Sequence, residues 1–197
     1  MSFYRTRKVR ILNGAHTMSV LAAHQAGLDT VQECTEDSQV SSFMKDGSFK
    51  EIIPAMDGDK AELEKYAADV LERFANPYIR HMLLSISLNS TSKFKTRNLP
   101  SLLGYIEKTG KLPQHLTFSL AALISFYRGT VREGAVLKGE RNGSSYDIMD
   151  SPDVLDRFAK LYAAGGDAAQ MAARLSHEVL SETAWWGQDL TKVAGLE

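Results

Sequence analysis

The chain has 197 residues, enough for one domain with a substantial apolar core and too few for a series of them. Its 44% apolar and 24% charged residues and formal net charge of -1 are those of a globular protein without the basic field that draws a chain to nucleic acid or an anionic membrane. The single cysteine, Cys34, excludes an internal disulfide and fits a reducing compartment. No apolar run approaches the roughly eighteen residues of a membrane-spanning helix, and the basic opening from Met1 to Lys8 has no apolar stretch behind it of the secretory kind, so a cytoplasmic location is expected.

From Asn13 to Ala26 the residues Ala15, Met18, Leu21 and Ala22 recur at helical spacing, and Gly27 stands where a left-handed residue closes a helix. Asp29 and Thr30 can cap a second, polar helix through Val31, Cys34, Val40, Phe43 and Met44, with Asp46-Gly47 expected to break it. Ser48 to Pro54 is short and apolar around Ile52 and Ile53, and the proline rules out a long helix there. Asp57 to Phe74 is the clearest amphipathic helix, with Leu63, Tyr66, Ala67, Val70, Leu71 and Phe74 on one side, and it ends at Asn76-Pro77. Tyr78, Ile79, Met82, Leu83 and Ile86 predict a further short helix that runs into a polar, basic stretch from Ser87 to Asn98.

Pro100 opens a helix through Leu103, Tyr105 and Ile106 that Thr109-Gly110 closes. Pro113 to Tyr127 is almost wholly apolar and predicts a helix buried on most of its circumference. Gly129 to Asp150 is charged and rich in glycine, with Asn142-Gly143 placed to turn a small hairpin, and it reads as a surface excursion. Ser151-Pro152-Asp153 is a helix start, with serine as the cap, for a helix through Val154, Leu155, Phe158, Leu161 and Tyr162 that ends at Gly165-Gly166. A last helix runs from about Asp167 into Leu180, and Trp185 and Trp186 are expected to dock the tail on the body. With no strand series and no internal repeat, the expected class is all-α with a small β-hairpin near 130–150.

The chemistry-bearing residues cluster early, in Lys8-Val9-Arg10-Ile11-Leu12-Asn13-Gly14-Ala15-His16. On an α-helix Asn13 and His16 stand about 60° apart, while Lys8 lies about 140° from Asn13. Such a trio can do alcohol chemistry: a lysine with its pKa lowered by desolvation takes the hydroxyl proton, while an amide and an imidazole polarise the oxygen. Spacing alone equally admits a surface lysine and an asparagine cap. The remaining histidines, His24, His81, His115 and His177, show no metal-ligand spacing, so no zinc site is expected, and Cys34 reads as a small buried hydrophobe.

The string from Lys8 to His16 resembles the Lys-x4-Asn-x2-His motif of the polyol-specific long-chain dehydrogenases, the mannitol dehydrogenase family. Ile86-Ser87-Leu88-Asn89-Ser90, Lys93-Phe94-Lys95-Thr96-Arg97, Leu112-Pro113, Leu116-Thr117-Phe118 and Phe126-Tyr127-Arg128-Gly129 resemble the branch of that family that acts on hexuronates, and the likeness covers essentially the whole chain. It implies a multi-helical substrate domain of the 6-phosphogluconate dehydrogenase C-terminal type, spanning 1–197, from an NAD-dependent oxidoreductase that interconverts D-tagaturonate and D-altronate. In that resemblance Lys8 matches the catalytic base, Asn13 an oxyanion-stabilising asparagine, His16 a residue that binds substrate hydroxyls and Lys93 a lysine that contacts substrate. For Lys95 and Arg97 the argument is physical: a hexuronate carries a carboxylate, and a cationic cluster can receive it.

Family members carry an amino-terminal Rossmann domain for the nicotinamide, and this sequence has neither a Gly-x-Gly-x-x-Gly after a strand nor room for a βαβ unit before Lys8. The expectation is a carboxyl-terminal domain alone, inactive and poor at binding NAD without a partner domain, and open to self-association through the apolar surface that such a domain would cover. The alternatives are a non-catalytic helical domain that binds a sugar acid or a protein, or a fragment of a related mannonate or mannitol dehydrogenase.

Overall fold

Residues 3–76, 78 and 80–197 are described in a computed structural model of the chain. The leading helix is longer than its apolar period predicts. Helix α1 (Phe3–Arg7) passes without a break into a π-helical turn at Lys8–Asn13 and then into α2 (Gly14–Gln25). Helix α2 closes as expected: Gly27 adopts φ 105°, the Gly27 N–H donates to the His24 carbonyl and the Leu28 N–H to that of Ala23.

Thr30 caps α3 (Val31–Glu36) in a reciprocal capping box with Glu33. The second predicted helix is in fact two, because Asp37 leaves the helical region and its carboxylate accepts from Gln39 and Val40 to cap α4 (Ser38–Gly47). Nor does Asp46-Gly47 break it. Gly47 is helical at φ -60° and the chain continues into a second π-helical turn, Ser48–Ile52. The glycine serves close packing: a Cβ there would come within 2.4 Å of the Met18 Cε on α2.

Asp59 caps the amphipathic α5 (Lys60–Phe74), whose Leu63, Ala67, Val70 and Phe74 are buried. The next helix is only one turn, α6 (Leu83–Ile86), since Met82 is engaged in an isolated antiparallel bridge to Thr30. Of the residues expected in it, Ile79 lies outside the described residues, as does Pro77 before it. The polar, basic stretch, for which no element was predicted, contains a helix of its own, α7 (Ser90–Arg97). Helices α8 (Leu99–Thr109), with Pro100 in its first turn and Gly110 at φ 69°, and α9 (Gln114–Phe126) follow as predicted.

Helix α9 is less buried than its composition implies, because Phe118 is 55% exposed and Ala121 and Ser125 share its outer side. Its first turn is capped from afar. Pro113 offers no side-chain acceptor, and the buried Glu51 accepts from the backbone N–H groups of His115 (2.8 Å) and Leu116 (2.9 Å).

The excursion forms a three-stranded antiparallel meander, β1 (Arg132–Glu133), β2 (Val136–Arg141) and β3 (Ser144–Ile148), with Leu137 opposite Ile148. Asn142 and Gly143, at φ 53° and 76°, make the predicted tight turn. It is more than a surface excursion, for Leu137 and Ile148 are buried in the common core.

Helix α10 (Pro152–Ala163) starts where predicted, although the Ser151 hydroxyl makes no capping bond, and Asp167 closes a capping box on α11 (Ala168–Leu180). The tail packs as expected: in α12 (Thr183–Trp186) both tryptophans are buried, and the Trp186 indole donates to the Val179 carbonyl at 2.7 Å. A short 3-10 turn, Leu190–Lys192, follows. Among the described residues no helix is long and apolar enough to cross a membrane.

Candidate functional site

The site starts from a departure in helix geometry. In a π-helical turn the backbone bonds run from residue i to i+5, more residues per turn than the roughly 3.6 of an α-helix, so positions five apart come closer to one line. Lys8 and Asn13 span this turn, and the wide separation expected of them on an α-helix does not apply. Asn13 is no helix cap, since its backbone is helical (φ -72°, ψ -32°) and its amide makes no capping bond. Lys8 is exposed, so the burial expected to desolvate its ammonium is not supplied by the described residues of this chain.

One turn on, the His16 imidazole stacks on Phe74 of α5 at a centroid distance of 3.9 Å, and the ring of His81 lies 6.5 Å away on a tilted plane. Burial, then the neighbouring His81 and Arg97, pull its pKa down to about 4, so the ring is neutral at pH 7 and keeps one N–H to donate and one nitrogen to accept.

Helix α7 brings the second set of groups to the π-turn and α2. Lys93 and Arg97, four apart, share one side of α7. The Lys93 ammonium donates to the Ile86 carbonyl at 2.8 Å, and burial, with Arg97 beside it, lowers its pKa, while Asp150 works the other way. Arg97 donates through Nη1 to the Thr17 hydroxyl at 3.1 Å, next to His16 on α2. Lys95, two residues from each, turns toward the tail, its Nζ 3.5 Å from the Ala184 carbonyl and close to Gly187. It is separate from the cluster it was expected to join.

Two features hold α7 in place. Asp150 accepts from the Thr91 N–H in the first turn (3.2 Å) and from the hydroxyl of the buried Tyr127. At the other end Asn98, fully buried, donates from Nδ2 to the Gly14 carbonyl (3.2 Å), tying the end of α7 to the junction of π-turn and α2. Sequence reasoning missed Asn98, Thr17, Phe74 and His81, which reach the site through tertiary packing and carry no local pattern.

Some arginines and lysines of this chain face carboxylates, as in Arg7 with Glu62, Lys108 with Asp57 and Arg141 with Asp29. Among the described residues none lies within ion-pair distance of Lys8, Lys93 or Arg97. Lys93, Arg97 and the neutral His16 imidazole thus lie close together, next to the π-turn that carries Lys8 and Asn13, an arrangement suited to an anionic, hydroxylated ligand. Two grooves, of about 750 Å³ between α9 and α11 and about 680 Å³ beside the meander, lie elsewhere and contain none of these residues. Cys34 is buried and its thiol is pushed up to about 12, mainly by burial, which leaves it inert.

Comparison with known proteins adds the following. The family model for the mannitol dehydrogenase C-terminal domain matches residues 1–197. An altronate oxidoreductase of Enterobacter sp. (strain 638) is 50% identical over 193 residues, and that of Escherichia coli (strain K12) is 47% identical, in each case covering 98% of this chain and 38% of the relative. The chain thus spans well under half the length of the curated relatives it matches. Among solved structures, the ternary complex of Pseudomonas fluorescens mannitol 2-dehydrogenase with NAD and D-mannitol has a TM-score of 0.76 at 21% identity, covering 93% of this chain and 34% of the other. A substrate-free D-sorbitol dehydrogenase has a TM-score of 0.67 at 20% identity, with 93% and 40% covered. These two share the fold.

Proposed function

Because the chain belongs to the mannitol dehydrogenase C-terminal domain family, we propose that it is the substrate-binding and proton-transferring part of an NAD-dependent hexuronate oxidoreductase that interconverts D-tagaturonate and D-altronate. The observation that supports this reading is that Lys93 and Arg97 stand beside the neutral His16 with no carboxylate of the described residues within ion-pair distance, on a helix packed against the π-turn that carries Lys8 and Asn13. Neutral alditols need no such excess of positive charge, whereas a sugar acid brings one carboxylate and a row of hydroxyls.

In this reading Arg97 and Lys93 receive the carboxylate, Arg97 through the guanidinium nitrogens not engaged by Thr17. His16, neutral and braced on Phe74, donates to or accepts from a hydroxyl with its tautomer free to adapt. Asn13 donates its amide to the oxygen at the reacting carbon, and Lys8 exchanges the proton of that oxygen, accepting it as the alcohol is oxidised and returning it on reduction.

The sheet is a small antiparallel meander without the βαβ turn and glycine fingerprint that hold a pyrophosphate, and no step through the nucleotide is assigned to this chain. The nucleotide belongs to a companion dinucleotide-binding domain. That domain also supplies what the exposed Lys8 lacks, a cover that excludes water and lowers the stability of the charged ammonium.

The test is a graft. This chain, inserted in place of the matched stretch of the Escherichia coli relative, is expected to give an enzyme that oxidises NADH with D-tagaturonate, and to lose that activity in Lys8→Ala. The isolated chain is expected to give none. Steady NADH oxidation by the isolated chain, or a well-folded graft that stays inactive, would overturn the proposal. The second outcome would favour the non-catalytic sugar-acid-binding reading, for which the exposure of Lys8 is the one supporting observation.

A further inference from the structure

His81 has no part in the family motif, yet its environment sets it apart from most of the other histidines. His115 faces Glu51 at 2.7 Å and His177 faces Glu197 at 2.8 Å, so each spends a ring nitrogen on a carboxylate of this chain. His24 is sealed between the rings of Phe126 and Tyr146. His81 is exposed and, among the described residues, makes no side-chain hydrogen bond or ion pair, and its ring neighbours that of His16.

Its backbone is nonetheless fastened. The Val31 N–H donates to the His81 carbonyl at 3.0 Å, the Leu83 N–H donates to the Asp29 carbonyl at 2.8 Å, and Thr30 bridges Met82 between them. The two strand-like hydrogen bonds flank Met82, and the one that ends on the His81 carbonyl holds His81 at the edge of this short pairing. The fastening starts from the capped N-terminus of α3, itself locked by the reciprocal bonds of Thr30 and Glu33.

The distance between the two rings is informative. At 6.5 Å between centroids and tilted 54°, His16 and His81 are too far apart to hydrogen bond to each other. One oxygen that accepts from two N–H donors at about 2.9 Å each separates the donor nitrogens by up to about 6 Å. With a nitrogen of each ring turned toward the other, the gap admits a single ligand oxygen. It opens beside Arg97, whose charge acts on His16 together with that of His81, so an electron-rich oxygen placed there meets donors from both sides.

Resting on the sugar-acid reading of this cluster, we propose that His81 is a substrate-contacting residue, its imidazole and that of His16 holding one oxygen of the polyhydroxy acid between them. The ligand chemistry is an oxygen acceptor of a sugar acid, either a hydroxyl or a carboxylate oxygen. His81 is the member of the site that comes from outside the Lys8 to His16 string and outside α7, and it makes the segment before α6 one wall of the pocket.

The experiment follows the imidazole signals of His16 and His81 by heteronuclear NMR while the intact chain is titrated with D-altronate and, separately, with D-altritol, which has the hydroxyls without the carboxylate. Both rings are expected to shift together and saturably with altronate. His81→Ala, at an exposed position, is expected to melt at the same temperature and to bind altronate about tenfold more weakly, the size of one lost hydrogen bond to a charged or polarised partner. An equal loss for altritol identifies the shared oxygen as a hydroxyl, and a loss confined to altronate identifies a carboxylate oxygen. A His81 signal that stays still while that of His16 moves, or unchanged altronate affinity in His81→Ala, overturns the assignment. An unaltered chain that binds no altronate overturns the sugar-acid reading itself, and this inference with it.

Discussion

His16 and His24 stand eight residues apart on the same helix, and each has its pKa pulled down to about 4, by burial first and by a nearby arginine as well. Around His24 everything is closed. The residue is 2% exposed, its ring meets Phe126 and Tyr146 edge-on, and Arg141 is anchored on the carbonyls of His24 and Leu28 and on the Asp29 carboxylate. His16 is part-buried and closed on one side only: one ring face lies on Phe74, the other side looks across a gap to His81, and among the described residues Arg97 has no carboxylate within ion-pair distance. A depressed histidine therefore marks burial at both ends of α2. The unspent positive charge and the open side mark a site at only one of them.

This contrast can be attacked at several strengths. The largest effect should come from Lys8→Ala in the grafted enzyme, where turnover is expected to fall by about a hundredfold to ten-thousandfold with little change in altronate affinity, as kcat and direct binding together would show. Next, Arg97→Ala combined with Lys93→Ala is expected to weaken altronate binding to the chain by about a hundredfold, since each removes a charge-assisted contact. Lys95→Ala, on the other side of α7, should leave it within about twofold.

The pH dependence of stability carries a sign that follows from burial. Both histidines titrate near 6.5 when unfolded and near 4 when folded, so the unfolded chain takes up their protons first. The stability they contribute is complete above about pH 6.5 and is lost as the pH falls toward 4, by at most about 3 kcal/mol for each. Urea unfolding at pH 7 and pH 4.5 should show this loss, and His16→Gln should reduce it. The smallest effects separate the two ends of the helix. His24→Gln should lower the melting temperature and leave altronate binding unchanged, whereas His16→Gln should abolish most binding with only a slight effect on melting.

Much of the scaffold is legible in the sequence, and the reason is local. Thr30, Gly27, Asn142-Gly143 and Pro100 each act on their own few residues, and each is found in the expected role. The π-turns have no such signature. Lys8–Asn13 and Ser48–Ile52 pack against each other, and their backbone geometry answers to that packing and not to composition. Helix α7 was hidden for a similar reason. Its sequence is polar, and its position rests on the buried Phe94, on Asp150 at one end and on Asn98 at the other, partners up to 84 residues away.

The candidate site divides along the same line. Lys8, Asn13 and His16 are readable as a string because they belong to one helical segment. Arg97 and Lys93 were readable as charge, whereas their separation from Lys95 needed the helix to be recognised. His81 and Asn98 had no signal at all, since a lone histidine before a short apolar run and a lone asparagine before a proline-started helix are ordinary residues until the chain is folded.

The measurement that bears most directly on the central claim is a calorimetric titration of the intact chain with D-altronate, beside the same titration of the Arg97→Ala, Lys93→Ala variant. Saturable binding by the unaltered chain that is lost in the variant is the predicted result. No binding by the unaltered chain, or equal binding by both, would contradict the account.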